Sequence, residues 1–373
     1  MQSWIELNMT PNIGPRMAKA LLERFGSPDG VFAASRLELE AMRLSAITIE
    51  SILNREFAER ALAELEKIKA IGGDIILLDD GNYPALLREI PDPPIVLYVA
   101  GDWENVLSAP CVAVIGSRNC STYGKNAAEM LSRDLAERGL TIVSGFARGI
   151  DTAAHIGAIK AKGKTAAILG TGLDQAYPKE NAKLREEILS NNGAIITQFP
   201  FGTPPLGENF PYRNRVISGL SYAVLVIEAS EKSGSLITAR LAAEQNREIL
   251  AVPGNITSQK SFGTNYLIKA GAKLVQHWQD VVAELPSEIA KKILPPPLDN
   301  EKKRKQAELV PAGLSKNELT IWQALSTDDA THIDDLIEGS GLNFGEVNSA
   351  LVSLEVKELL HVLPGKRYAR RIV

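Results

Sequence analysis

Apolar residues recur through the middle of the chain in short, nearly continuous runs: "IILL", "IVLYVAG", "CVAVIG", "LTIVSG", "TAAILG", "AIIT", "YAVLVIEA" and "EILAVPG". Helical stretches separate most of them. Short apolar strands alternating with helices predict an α/β fold, a mostly parallel sheet covered on both faces, over residues 69–287. The period differs before this segment. In "NIGPRMAKALLERFGSP", Met17, Leu21, Leu22 and Phe25 fall at helical spacing and Gly26 is placed to end the helix. Residues 1–68 therefore predict a small all-helical domain. "LPPPLDNEKKRKQAELVPAGL" joins a proline run to a charge run without any apolar period, which predicts a linker over 288–314. From 315 to 373, Ser315 with Glu318, Thr331 with Asp334 and Asn343 with Glu346 have the cap-then-acid spacing of helix starts. "HVLPGKRYARR" then adds an apolar pair, a Pro-Gly turn and a basic tail. Three short helices and a hairpin predict a winged helix.

Composition narrows the class without naming a function. Of 373 residues, 45% are hydrophobic and 23% charged, as in ordinary globular proteins. No run approaches the length of a membrane span, and "MQSWIELNMTPNIG" has no basic region leading an apolar core, so neither membrane nor signal peptide is expected. Cys111 and Cys120 are too few for a disulfide framework or a four-ligand zinc site, which suits a reduced, cytoplasmic setting. The net charge of -4 excludes a basic nucleic-acid coat but not a basic cleft.

The chemistry gathers where strands end. "CVAVIG" is followed by Ser117, Arg118 and Asn119 after Gly116. "LTIVSG" leads to "FARGID" with Arg148 and Asp151, and "TAAILG" to "TGLDQAYPKEN" with Asp174, Tyr177 and Lys179. "FPYRNRVISGLS" supplies Phe210, Arg213, Asn214 and Arg215 before "YAVLVIEA", which opens into "SEKSGSLITARLAAE". "EILAVPG" precedes "NITSQKSFGTNYLIKAG" with Lys269. In a parallel sheet these turns share one edge, where ligands bind. Helix N-termini with unpaired N–H groups, arginines able to bind phosphate through two parallel bonds, and the aromatics Tyr123, Phe146, Tyr177 and Phe210 suit a polyanion better than one pyrophosphate. Each residue taken singly also has a plain structural reading. Gly145, Gly149 and Gly170 fit close packing, Asp151 and Asp174 fit caps or turns, and Arg215 fits a pair with Glu228 or another carboxylate.

Competing motifs fail at identifiable places. "GAIKAKGKT" has five residues between Gly157 and Gly163, where a P-loop needs four, and it runs from helix into strand. "GTGLDQ" has Gln175 in place of the third glycine of a dinucleotide fingerprint. No G-x-S-x-G elbow or His–Glu-x-x-His motif occurs. His155 lies four residues after Asp151 and fits a structural place on a helix face. No nucleophile–base pair stands out, so neither catalytic residues nor a cofactor or metal is expected. "IGPRMAKALL" resembles half of a helix-hairpin-helix motif, with Asn12 where the second glycine would stand; a packing role fits it as well.

"VIGSR", "SGFARGIDTAAH", "LGTGLDQAYPKEN", "FPYRNRVISGLS", "VIEASEKSGSLITARLAAEQNREILAVPG" and "GTNYLIKAGA" together resemble the DNA-processing protein A (DprA, or Smf) family, in order and spacing across the middle domain. The resemblance implies an extended Rossmann-like core, a sterile-alpha-motif-like N-terminal domain and a winged-helix C-terminus. It also implies a sequence-independent single-stranded DNA binding protein of natural transformation, a homodimer without established catalysis that shields incoming strands and loads the RecA recombinase. Carried over, the phosphate pocket comprises Gly116, Ser117, Arg118, Arg148, Lys179, Arg213 and Asn214, with Phe210 against a base. One departure stands out: "TQFP" places Thr197 and Gln198 where the family usually has Ser-Glu, removing a carboxylate that could orient an arginine. A nucleotide-hydrolysing Rossmann-like enzyme, with Glu244 as acid/base, is the alternative. The third C-terminal helix carries Glu346, Glu355 and Glu358 and suits protein contact at least as well as groove reading.

Overall fold

The computed structural model describes residues 1–175, 177–293, 311, 313–326 and 329–371. The apolar runs form one nine-stranded sheet, β1 (Asp74–Leu77), β2 (Val96–Gly101), β3 (Cys111–Ile115), β4 (Thr141–Ser144), β5 (Thr165–Ile168), β6 (Ala194–Thr197), β7 (Ala223–Val226), β8 (Glu248–Ala251) and β9 (Lys273–Leu274). Their order is β1-β2-β6-β5-β4-β3-β7-β8-β9. β1 and β2 run antiparallel to their neighbours, and every other pairing is parallel. Strands β3 to β7 are buried along their whole length, which is why they read as continuous rather than alternating apolar runs. The chain moves outward in one direction from β3 to β6, then returns to place β7 on the other side of β3. That reversal opens a crevice at the carboxyl ends of β3 and β7.

The N-terminal segment is all α, with helices from Gln2–Met9 to Ala58–Ala70. Ile5, Leu7, Leu21 and Ile52 share one core with Tyr98, Ala167 and Ile195, so the helical module is fused to a sheet face. The backbone N–H of Phe201 donates to Glu64 Oε2 at 2.8 Å across this junction. Asn12 takes φ +63°, the left-handed geometry for which a hairpin turn commonly uses glycine, and lets the chain turn into helix Pro15–Phe25.

The C-terminal segment is a winged helix: helices Lys316–Ala324, Ile333–Ser340 and Phe344–Val356 pack on the sheet β10 (Thr331–His332), β11 (Leu360–Leu363) and β12 (Arg367–Arg370), ordered β10-β12-β11. Ser315–Glu318 and Asn343–Glu346 close full capping boxes. Thr331 does not cap a helix. It pairs with Tyr368 in β10, and His332 caps the helix that follows by accepting the Asp334 N–H at 3.3 Å. Helix Ser287–Ile293 occupies the first residues expected of a linker; the remainder of 288–314, except 311, 313 and 314, lies outside the described residues. The wing hairpin docks on helix Thr122–Ala136. His361 Nε2 and Asn126 Oδ1 are 2.8 Å apart, Asn126 Nδ2 donates to Arg370 O at 3.1 Å, and Arg371 reaches Glu129 at 3.5 Å. No helix among the described residues is long and apolar enough to cross a membrane.

Candidate functional site

The crevice at the sheet reversal is a cleft of about 590 Å³. One wall is the turn after β3, carrying Gly116, Ser117, Arg118 and Asn119. The facing wall is the turn after β7, where Ser233 and Ser235 open helix Gly234–Glu244 and Thr238 sits one turn along it. The first turns of helix Asn209–Gly219 close the third side with Phe210, Arg213 and Asn214. The walls are joined through backbone. The Ser117 N–H donates to Glu228 O at 2.8 Å, and the Ile150 N–H to Ser117 O at 3.2 Å. Gly149, at φ +82°, lies so close to the Ser117 and Arg118 carbonyls that a side chain there would collide with them.

Arg118 is exposed, lines the cleft and makes no ion pair among the described residues. Its guanidinium lies 5.3 Å from the Phe210 ring centre, and that of Arg213 lies 5.9 Å from the same ring. Tyr177 adds a second ring, tilted by 40° with centres 5.6 Å apart. A Cβ on Gly170 would come within 2.9 Å of Phe210, so glycine there leaves the ring its place. An unpaired cation, a half-buried aromatic and a hydroxyl-bearing helix start together offer a phosphate site beside a flat apolar one.

Beneath the cleft lies a buried polar cluster. Arg213 is 4% exposed and donates to the carbonyls of Gly145 and Ile168 at the ends of β4 and β5. Its Nε donates to Asn214 Oδ1 at 3.2 Å. Burial pulls the guanidinium down to about 10, opposed by the nearby Asp151 carboxylate. Asp151 accepts the Ala147 N–H at 3.2 Å and is raised by burial, against the pull of Arg213. His155, fully buried with Nδ1 2.7 Å from Thr165 Oγ1, is driven down to about 3 by burial and by the Arg213 charge. A neutral imidazole closed off from the cleft cannot serve as its general base.

The strand-end residues thus fall into three groups. Gly116, Ser117, Arg118, Phe210, Arg213 and Asn214 converge on the cleft, with Arg213 held under its floor. Arg148 stands beside Tyr177 in a small adjoining hollow and pairs with exposed Glu180 at 3.5 Å. Lys179 is exposed beyond Pro178 and lines neither space, and the turn after β8 and Lys269 also stay outside. Phe146 is core, 3% exposed at φ +59°, and the Tyr123 hydroxyl donates to Pro253 O at 3.0 Å. Arg215 does not meet Glu228. It pairs instead with another carboxylate, Asp92, at 3.9 Å and donates to Gln198 Oε1 and Asp92 O, while Glu228 accepts from Ser121 N and Oγ at the start of helix Thr122–Ala136. Glu244 is exposed at the far end of its helix, about 14 Å along the axis from Ser235, so it has no place at the cleft. Thr238 escaped the sequence reading, although its spacing of four from Gly234 puts it on the same helix face.

The family model described as DNA recombination-mediator protein A matches residues 74–286, and that of the DprA winged helix domain matches 305–366. Protein Smf of a Synechocystis species is 34% identical over 391 aligned residues, covering 99% of this chain and 98% of the relative. The X-ray structure of DNA processing protein A from Streptococcus pneumoniae superposes with a TM-score of 0.68 at 35% identity, covering 77% of this chain and 98% of that one. A Helicobacter pylori DNA processing protein A structure, described in terms of its single-stranded DNA binding mode, gives a TM-score of 0.51 at 32% identity over 56% of this chain and 93% of its own.

Proposed function

Because the chain belongs to the DNA recombination-mediator protein A family, we propose that it binds single-stranded DNA without sequence preference in the cleft between the β3 and β7 turns, protects it, and delivers it to the RecA recombinase. The observation that carries this reading is the unpaired Arg118 beside Phe210 in an open cleft with a hydroxyl-bearing opposite wall. Arg118 and the helix start at Ser233–Ser235 serve phosphates, Phe210 and Tyr177 serve a base, and Arg213 contributes a fixed charge from below. Such a site holds backbone and stacked base while reading no base edge, which makes it tolerant of sequence. The Helicobacter relative, whose reported subject is single-stranded DNA binding, supports the same ligand here.

Delivery to RecA and a homodimeric state belong to the same proposal and are supported by family membership. Phe262 and Tyr266, 52% and 60% exposed, offer an apolar surface fit for a second copy. The test is binding of fluorescent oligonucleotides over a range of salt. Phosphate contacts release counterions, so log affinity should fall with log salt by roughly 0.7 per contact, and Arg118→Ala should weaken binding to every sequence and flatten that slope. Unchanged binding by Arg118→Ala at low and moderate salt would remove the cleft from consideration. Lys179→Ala should have the smaller effect, since Lys179 lies off the cleft wall.

A further inference from the structure

A second depression, about 360 Å³, lies between the N-terminal hairpin turn and helix Asn209–Gly219. Asn8 and Asn12 face it from the helical module, and Gln198, Phe199, Asn209 and Tyr212 from the sheet domain. It shares a wall with the cleft. Phe210 and Pro211 line the cleft, whereas Asn209 and Tyr212 line this groove, so one helix start about 10 Å thick separates them.

Gln198 fixes the chemistry of the groove. Only 8% exposed, it accepts from buried Arg215 through Oε1. A guanidinium can only donate, so the amide oxygen must face Arg215 and the Nε2 donors must face the other way. Nε2 makes no hydrogen bond among the described residues. Asn8 Nδ2 donates to Gln198 O at 3.2 Å and Asn209 Nδ2 to Pro204 O at 3.3 Å, which leaves both Oδ1 atoms as acceptors. Tyr212 is 51% exposed, and its hydroxyl lies 3.6 Å from where a Cβ on Gly14 would stand. The Arg215 guanidinium lies 5.9 Å from the centre of the Tyr212 ring, whose exposed half stays open to a ligand. Donor and acceptors beside a half-exposed ring match a base edge. A phosphate offers acceptors only, and exposed Glu208 at the groove would repel it.

We propose that the groove between the N-terminal module and the core receives a nucleobase of the strand bound in the cleft, stacked on Tyr212 with a base carbonyl on Gln198 Nε2. This rests on the single-stranded DNA reading given above, and adds to the sequence-tolerant cleft a second site that favours a carbonyl-bearing base. It assigns the helical module a share in binding. It also gives a consequence to glutamine at 198, since a carboxylate there would present no donor.

The full-length chain is tested with oligothymidine, oligoadenine and an abasic oligomer. Tyr212→Ala should weaken oligothymidine at least about fivefold, the lower end of base stacking, with the salt slope and abasic binding unchanged. Gln198→Glu keeps an acceptor for Arg215 and should retain the parent's melting temperature, yet weaken oligothymidine more than oligoadenine, because adenine carries no carbonyl. Binding of oligothymidine by both variants like the parent, with Arg118→Ala impaired, overturns this inference alone, as does an equal loss on the abasic oligomer. Thymidine that competes equally well against the Arg118→Ala variant would make the groove a free-nucleoside site and overturn it too. An unimpaired Arg118→Ala variant instead overturns the cleft reading beneath it.

Discussion

At the residue scale, charge and ring at the cleft should separate experimentally. Phe210→Ala should lower affinity for single strands by about 1–3 kcal/mol without changing the salt slope, in contrast to Arg118→Ala. Gly170→Ala should mimic it in part, because its methyl would displace the ring from 2.9 Å away; titration of labelled oligonucleotide checks both. Arg213 behaves differently. Arg213→Met strips two carbonyls and Asp151 of their partner in a buried site, so urea unfolding should show a loss of about 3 kcal/mol. His155 is neutral in the fold but takes a proton once unfolded, its folded value lying below the ordinary one. It therefore contributes stability above pH 6.5 that is lost as pH falls toward about 3. Relative to the parent, His155→Gln should flatten unfolding free energy against pH across that window, by at most about 1.4 kcal/mol per pH unit. Arg118 was legible in sequence because its turn follows a buried strand directly. The burial of Arg213 was not, since "FPYRNR" looks equally like a basic loop and only the sheet carbonyls above it reveal the difference.

At the scale of elements, helix Thr122–Ala136 links two regions. Its start is held by Glu228 at the sheet reversal, and its body carries the wing hairpin through Asn126 and Glu129. His361 in that contact is lowered to about 4, first by burial and then by the Lys125 and Arg371 charges, with Glu129 opposing. Docking should therefore weaken as pH falls from 6.5 toward 4, seen as faster proteolysis between the modules, and His361→Gln should remove that sensitivity. The apolar runs announced the strands because both sheet faces are covered. The start of the second winged-helix helix was misplaced because Thr331 finds a strand partner in Tyr368, a non-local pairing that local cap spacing cannot register.

For the whole molecule, a net charge of -4 and a local cationic cleft imply that distant acidic surface repels the ligand while near contacts attract it. Raising salt should therefore weaken binding less steeply than a count of all surface lysines and arginines would suggest. On the homodimer proposed above, Tyr266→Asp should shift the chain toward monomer in light scattering while leaving oligonucleotide affinity per chain within about twofold, because the apolar surface and the cleft share no residue. The fused N-terminal core could not be read from the chain, since Ile5 and Tyr98 are far apart in sequence and nothing in the helical period of the first says which surface it covers. The backbone bonds joining Ser117 to Glu228 and Ile150 have a kinetic corollary. A cleft whose walls are already tied has no closing step to wait for, so encounter should proceed without gating. Differences among variants should then appear as residence time, with arrival rates nearly constant.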